Sequence, residues 1–211
     1  GVDDYVEVPD SSSLRLSQFT IIALFKSSTY EDAVIRPLAK KGYNWSWDKF
    51  NYAFSVYGPG LRYSLAVGNG TDYYEVVSTQ ITPDRWHVGA GVYDGNDLII
   101  YHDGAEISRK TIGAIEPYVS TDSLLISRPD YAFNGAIALV FIYNRALTPE
   151  EIRHNIMEYH NPVRDGLVLF LYDRIVGDTW HDESGYGNNG TIYGAVRKEL
   201  AMWEIRAELG L

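Results

Sequence analysis

The sequence predicts an all-β fold, a sandwich of two antiparallel sheets that carries one short helix. Three observations support this prediction. Apolar and polar residues alternate along much of the chain, clusters of turn-forming residues separate these stretches, and 14% of residues are aromatic. At 211 residues the chain lies within the range that sandwiches occupy as one domain, so residues 1–211 are predicted to form a single domain.

Short strands are predicted in order along the chain, separated by Gly, Pro, Asn and Asp clusters that suit tight turns. The predicted strands cover residues 4–9, 19–28, 51–58, 61–68, 73–81, 86–95, 97–104, 124–129, 135–144, 167–172 and 191–196. A further strand is predicted over residues 200–209, because apolar and polar residues alternate there, although many of these residues are good helix formers.

One helix is predicted near residues 148–160. Thr148 suits the N-cap, Pro149 suits the first helical position, and Glu151 follows the cap by three residues, which is the pattern of a capping box. Three apolar residues then share one face at helical spacing: Ile152, Ile156 and Tyr159. This helix is expected to pack on the sheets.

Charge and cysteine content argue against several classes of protein. The formal net charge is -10, which argues against nucleic-acid binding, because a phosphate backbone attracts an excess of Lys and Arg. The chain has no cysteine, so neither a disulfide framework nor a thiolate metal site is possible. No stretch approaches the roughly 20 apolar residues of a membrane-spanning helix, so membrane insertion is not expected.

Four stretches together resemble the laminin-G-like, concanavalin A-like jelly-roll domains, a superfamily of many lectins, pentraxins and some glucanases. Three of them follow the family order at residues 1–28, 86–104 and 133–152, and include "WHVGAGVYDGNDLIIYHDG" and "FNGAIALVFIYNRALTPEEI". The fourth, residues 166–196, contains "SGYGNNGTIYGA" and resembles the opening strand, loop and turn of the same domains. The resemblance implies a two-sheet jelly roll.

The order of these stretches departs from the family. The opening stretch normally comes first, whereas here it lies at the C-terminus, with residues 197–211 in the place of a strand that would lead back to Gly1. Two arrangements remain open for residues 166–211. They complete their own sandwich, as in a circular permutant, or they complete the sheet of a neighbouring subunit by strand exchange.

Catalysis is not predicted for this chain. Glucanases of the superfamily place two Glu and one Asp on one strand, because retaining hydrolysis needs an acid and a nucleophile roughly 5 Å apart. No Glu of this chain has an Asp two residues later, and the chain contains no Gly-x-Ser-x-Gly, His-Glu-x-x-His or P-loop motif.

Calcium is the cofactor that the resemblance implies, because many domains of the superfamily bind it through hard oxygen ligands. The resemblance would bring the "GVDD" start beside the "DESGYGNNG" loop, so the candidate ligands are Asp3, Asp4, Asp182 and Asn188. The alternative is that these residues form turns by bonding their own backbone.

The stretch "YNWSWDKF" is the candidate ligand-binding site. If it is extended, Tyr43, Trp45 and Trp47 lie on one face, where their rings could stack on sugars, while Asn44 and Asp48 could bond sugar hydroxyls. The same rings could instead anchor a protein interface or cap the core.

Two functions therefore remain open. The first is a non-catalytic, lectin-like module that binds a glycan or polysaccharide, with or without calcium. The second is a structural subunit of a virion, filament or surface layer, in which residues 197–211 join copies of the chain. The resemblance implies a location outside the cell, on the cell surface or on a virion.

Overall fold

A computed structural model describes residues 3–30, 32–42, 48–199 and 202–210, without the side chains of residues 203 and 204. This part of the chain contains 14 strands and two α-helices. The strands are β1 (Tyr5–Val8), β2 (Phe19–Ser27), β3 (Ile35–Lys41), β4 (Tyr52–Tyr57), β5 (Leu61–Gly68), β6 (Tyr73–Ile81), β7 (Trp86–Tyr93), β8 (Asp97–His102), β9 (Ala105–Thr111), β10 (Leu124–Ser127), β11 (Gly135–Tyr143), β12 (Leu167–Val176), β13 (Thr179–Asp182) and β14 (Gly190–Tyr193). The helices are α1 (Pro149–Met157) and α2 (Met202–Leu209).

The strands pair in one antiparallel order that folds into a two-layer jelly-roll sandwich. That order is β6-β5-β4-β3-β10-β1-β14-β13-β12-β11-β2-β7-β8-β9. The two ends of the order meet, because β5 and β6 contact β7, β8 and β9. The predicted all-β sandwich is therefore confirmed.

The main core lies between the two layers and is built from the alternate residues that point inward. Two glycines of β7 allow the layers to approach closely. A Cβ at Gly89 would lie 2.5 Å from a ring carbon of Tyr63, and a Cβ at Gly91 would lie 2.6 Å from a methyl carbon of Leu65. Glycine at these positions therefore removes atoms that would hold β5 and β7 apart.

A second apolar cluster covers the outer face of β2, β7, β8, β11 and β12, and both helices pack on it. Thr148 caps α1 as predicted: its hydroxyl accepts the Glu151 amide hydrogen bond at 3.2 Å, and the Glu151 carboxylate accepts the Thr148 amide hydrogen bond at 2.9 Å. Ile152 is fully buried against the sheet. The predicted helix is thus confirmed with its capping box.

All eleven strands predicted between residues 4 and 196 are present, but β3, β9 and β13 were not predicted. β3 contains Pro37, which lies at an irregularity of its pairing with β4, so the sequence reads as a loop. β9 ends the strand order and is largely exposed, so its residues show no apolar alternation. β13 has only four residues.

The strand predicted over residues 200–209 is wrong, because Met202–Leu209 form α2. Met202, Ile205 and Leu209 recur at helical spacing and pack on the outer-face cluster, with Ile205 only 2% exposed. The carbonyl of Glu208 also accepts a hydrogen bond of 2.7 Å from the Arg85 side chain. Helix propensity and this packing outweigh the alternation that indicated a strand.

Candidate functional site

A cleft opens on the face of β3–β6 that points away from the main core. Its floor is two pairs of small residues across β4 and β5: Ala53 pairs with Ala66, and Ser55 pairs with Ser64. Because side chains alternate between the two faces, the intervening Phe54 points into the core. The short side chains of the floor leave a cavity of about 340 Å³, which is within the range of small-molecule sites.

The register of the sheet extends one row of this floor across five strands. Lys40 of β3 pairs with Ala53, and Glu75 of β6 pairs with Ala66. Leu125 of β10 pairs with Lys40 on the other side. Residues that are far apart in sequence therefore lie side by side at the base of the cleft. They come from β10, β3, β4, β5 and β6.

Aromatic rings stand at the margins of the cleft. Phe50 is buried at one end, and the Lys40 ammonium lies 5.5 Å from the centre of its ring. Tyr73 and Tyr131 are 45% and 38% exposed, so part of each side chain faces solvent. The Arg128 guanidinium lies 4.7 Å from the centre of the Tyr131 ring. These rings offer apolar faces to a ligand on the floor.

Charges of both signs line the cleft. Burial lowers the pKa of the Lys40 ammonium, and the nearby charge of Arg128 lowers it further. Arg128 also lies 3.9 Å from a carboxylate oxygen of Asp130, and Glu75 supplies a second carboxylate. The cleft therefore presents hydrogen-bond donors and acceptors together.

The two serines of the floor differ in their hydrogen bonds. The Ser64 hydroxyl donates to the Glu75 carboxylate. The Ser55 hydroxyl is buried, lines the cleft and has no hydrogen-bond partner within the described residues. An unpartnered polar atom of this kind is uncommon in folded proteins.

The residues of "YNWSWDKF" were the predicted site, and only some of them are described. Tyr43, Asn44, Trp45 and Trp47 lie outside the described residues. The backbone carbonyl of Asp48 accepts a hydrogen bond of 3.0 Å from the amide of Gly70.

The described residues on either side of residues 43–47 nevertheless meet at the cleft. Gly42 and Phe50 both line it. Ligand binding by "YNWSWDKF" itself stays a prediction.

The four predicted calcium ligands are brought together only in part. The backbone amide of Asn188 donates to Asp182 at 2.9 Å, so these two residues are neighbours. Asp3 and Asp4 precede β1, whose first residue pairs with the last residue of β14, the end farther along the chain from Asn188. Asp182 is already held by protein donors, since its two oxygens accept hydrogen bonds from Phe170, Ser184 and Asn188.

The Asn188 amide nitrogen donates to the carbonyl of Val168 at 2.8 Å, so its side chain also stabilises this turn. These contacts suit turn-forming residues. Calcium binding by the set stays a prediction, and the hydrogen bonds of Asp182 do not strengthen it.

Sequence reasoning missed the floor of the cleft. A signal is nevertheless present, because "AFS" at 53–55 and "SLA" at 64–66 each place a large core residue between two small ones. The depth of the cleft follows only when the register sets Ala53 beside Ala66 and Ser55 beside Ser64.

Comparison with known proteins agrees with this architecture. A family model described as the concanavalin A-like lectin/glucanases superfamily matches residues 1–153, so the chain belongs to this superfamily. No curated protein matches the chain in sequence.

Several solved structures share the fold. A Bacteroides ovatus protein assigned to carbohydrate binding has a TM-score of 0.70 and 18% identity; the similarity covers 90% of this chain but only 56% of that protein. A carbohydrate-binding module of a Ruminococcus gnavus sialidase, solved with α2,3-sialyllactose, has a TM-score of 0.56 and 18% identity over 72% of this chain and 92% of the module.

Domain 4 of an extracellular arabinanase from Geobacillus stearothermophilus, solved with arabinotriose, has a TM-score of 0.50. Its identity is 18%, over 70% of this chain and 69% of that domain.

Within the described residues, neither helix is long and apolar enough to cross a membrane.

Proposed function

We propose that this chain is a non-catalytic carbohydrate-binding module that holds a glycan in the cleft on β3–β6. The observation that carries the proposal is the floor of small residues, which makes room for a sugar between exposed rings and charged side chains. Membership of the lectin and glucanase superfamily supports it, as do fold neighbours that were solved with sugars.

The cleft offers the two kinds of contact that sugar recognition requires. The rings of Tyr73 and Tyr131 can stack on the apolar face of a sugar ring. The Lys40 ammonium and the Glu75 carboxylate can bond hydroxyl groups from below. Binding thus needs no covalent chemistry, which agrees with the lack of a recognisable catalytic motif in the sequence.

Binding to a panel of neutral and acidic polysaccharides, measured by affinity electrophoresis and then by calorimetry, tests the proposal. Tyr73→Ala removes a stacking ring, and Ala66→Leu fills the floor, so each should weaken binding by at least about tenfold. Tyr186→Ala is the matched control, because this tyrosine is 57% exposed and does not line the cleft. Binding that survives both cleft variants would place the glycan elsewhere and overturn the proposal.

The dependence on calcium and the location outside the cell are parts of the same proposal. Calorimetry of the glycan with calcium, and again after EGTA treatment, decides whether binding depends on calcium, for which Asp3, Asp4, Asp182 and Asn188 are the candidate ligands. An extracellular location is supported by the shared fold with a domain of an extracellular enzyme, and a cell-surface or virion location is the alternative within the proposal. Detection of the native protein in the culture medium or on purified particles would test it.

A further inference from the structure

Two histidines and an aspartate meet beside the β7–β8 hairpin, outside the proposed glycan cleft. His87 is the second residue of β7, His102 is the last residue of β8, and Asp103 begins the turn into β9. Ligand atoms of the three side chains lie within 4.8 Å of one another. Within the described residues, this is the one group of three or more His, Asp or Glu side chains with that geometry.

Hydrogen bonding determines which atom of His87 faces the group. Its Nε2 lies 2.5 Å from the carbonyl oxygen of Thr82, and a carbonyl can only accept, so Nε2 is protonated. In the tautomer that binds a metal, the lone pair is therefore on Nδ1. That atom is buried and has no hydrogen-bond partner in the described chain, and its nearest charged neighbour is Asp103 Oδ2 at 3.9 Å, beyond hydrogen-bond length.

His102 is oriented in a comparable way. Its Nδ1 lies 3.0 Å from the hydroxyl of Tyr63, and its Nε2 lies 3.3 Å from Oδ2 of Asp103. In the tautomer that binds a metal, Nδ1 donates to the Tyr63 oxygen and Nε2 directs its lone pair into the group. Burial lowers the pKa of His102, and the nearby charge of Asp103 acts to raise it.

Asp103 presents only one of its oxygens to the histidines. Its Oδ1 accepts a hydrogen bond of 2.8 Å from the Val88 amide, and its own amide donates to the Val88 carbonyl at 2.8 Å. Oδ2 is left facing both rings. The Asp103 side chain is 33% exposed, so the group is open to solvent on one side.

We propose that Nδ1 of His87, Nε2 of His102 and Oδ2 of Asp103 bind one divalent zinc ion, with water in the fourth position. Zinc takes nitrogen and oxygen ligands at about 2.0–2.2 Å in a tetrahedron, whose ligands are then about 3.3–3.5 Å apart. The 3.3 Å from His102 Nε2 to Asp103 Oδ2 already fits, whereas Nδ1 of His87, 3.9 Å from the same oxygen, must move closer when the ion binds. Calcium is disfavoured here because it prefers oxygen ligands.

Each histidine already has an outer hydrogen-bond partner of the kind that typically orients a metal ligand. Nε2 of His87 donates to the Thr82 carbonyl, and Nδ1 of His102 lies against the Tyr63 hydroxyl. An ion in this position would tie the start of β7 to the turn after β8. The inference is independent of the glycan cleft, because none of the three ligands lines it.

Calorimetry with zinc chloride on the chelator-stripped chain tests the site, with cobalt(II) absorption as a second readout. One zinc ion should bind per chain, and cobalt should give the visible bands of a four-coordinate site. Asp103→Asn keeps an oxygen for the Val88 amide but removes the charge, and His102→Gln removes a ligand. Each should weaken zinc binding at least about tenfold and abolish the cobalt bands.

His160→Asn is the matched control, because this histidine is exposed and lies outside the group. It should bind zinc as the unmodified chain does. The site would be refuted by failure of the stripped chain to bind zinc, or by equal affinities of the unmodified chain, Asp103→Asn and His102→Gln. Both variants change side chains that are partly exposed and leave the buried His87 unchanged, so each is expected to fold. Circular dichroism of each variant checks this.

Discussion

At the scale of single residues, Lys41 is a charged residue whose side chain has no exposed surface. Its ammonium donates to Asp10 at 2.6 Å and to the carbonyl of Asp122. Asp10 also pairs with Arg15. The hydrogen bond from Arg15 and the contacts with Lys41 lower the pKa of Asp10 to about 2, against a weaker opposing effect of burial.

The lowered pKa of Asp10 predicts a loss of stability in acid. A carboxyl whose pKa falls on folding stabilises the native state above its unfolded pKa of about 3.9, and this contribution disappears as the pH falls toward 2. Asp10→Asn should therefore lower the free energy of unfolding at pH 6 and flatten its decline below pH 4. Urea unfolding between pH 2 and 6 measures both effects.

The surface variant Asp178→Asn serves as the comparison for this experiment, since residue 178 is exposed. It should follow the unmodified chain across the whole range. An acid decline that is equally steep in Asp10→Asn and the unmodified chain would show that Asp10 does not contribute to it.

At the scale of elements, both helices pack on the outer face of the sheet, but only α1 has a described capping box as well. The start of α1 is stabilised locally by its capping box. In α2, Ile205 packs on the outer face of the sheet, so tertiary contacts stabilise this eight-residue helix. This difference explains why the sequence indicated α1 clearly and α2 wrongly.

Removal of the α1 cap should have a modest effect on stability. Thr148→Ala deletes the hydroxyl that accepts the Glu151 amide hydrogen bond, and should lower the free energy of unfolding by about 1 kcal/mol. Chemical denaturation measures the change, with Thr121→Ala, at an exposed position, as control. Equal losses in the two variants would argue against a specific capping effect.

Loss of the α2 contact should have a larger effect. Ile205→Ala leaves a cavity on the outer face of the sheet, and should lower the free energy of unfolding by about 2 kcal/mol. The control is Ala207→Ser on the exposed side of the same helix. If Ile205→Ala is as stable as this control, α2 does not pack on the sheet in solution.

At the scale of the whole molecule, the C-terminal part of the chain fits within its own sandwich. β12, β13 and β14 lie between β11 and β1 in the strand order, and α2 packs against β7. This arrangement suits a closed domain whose family-like opening segment lies at the C-terminus. Circular permutation and exchange of residues 166–211 between copies both remain hypotheses.

Light scattering distinguishes these hypotheses. A closed domain predicts a mass of 23.8 kDa that does not change with concentration. A mass that rises with concentration, and returns to the monomer value when residues 197–211 are removed, would favour the structural-subunit function instead. Measurements in calcium and in EGTA would show whether the ion affects association.

The sequence by itself determined the all-β class, eleven strands, α1 and the family. These features depend on local alternation, turn residues and capping, which short stretches of chain contain. The tertiary structure alone decided the helical state of α2, the floor that sets Ala53 beside Ala66, and the convergence of His87, His102 and Asp103. These depend on packing and strand register, and register joins residues that no local pattern relates.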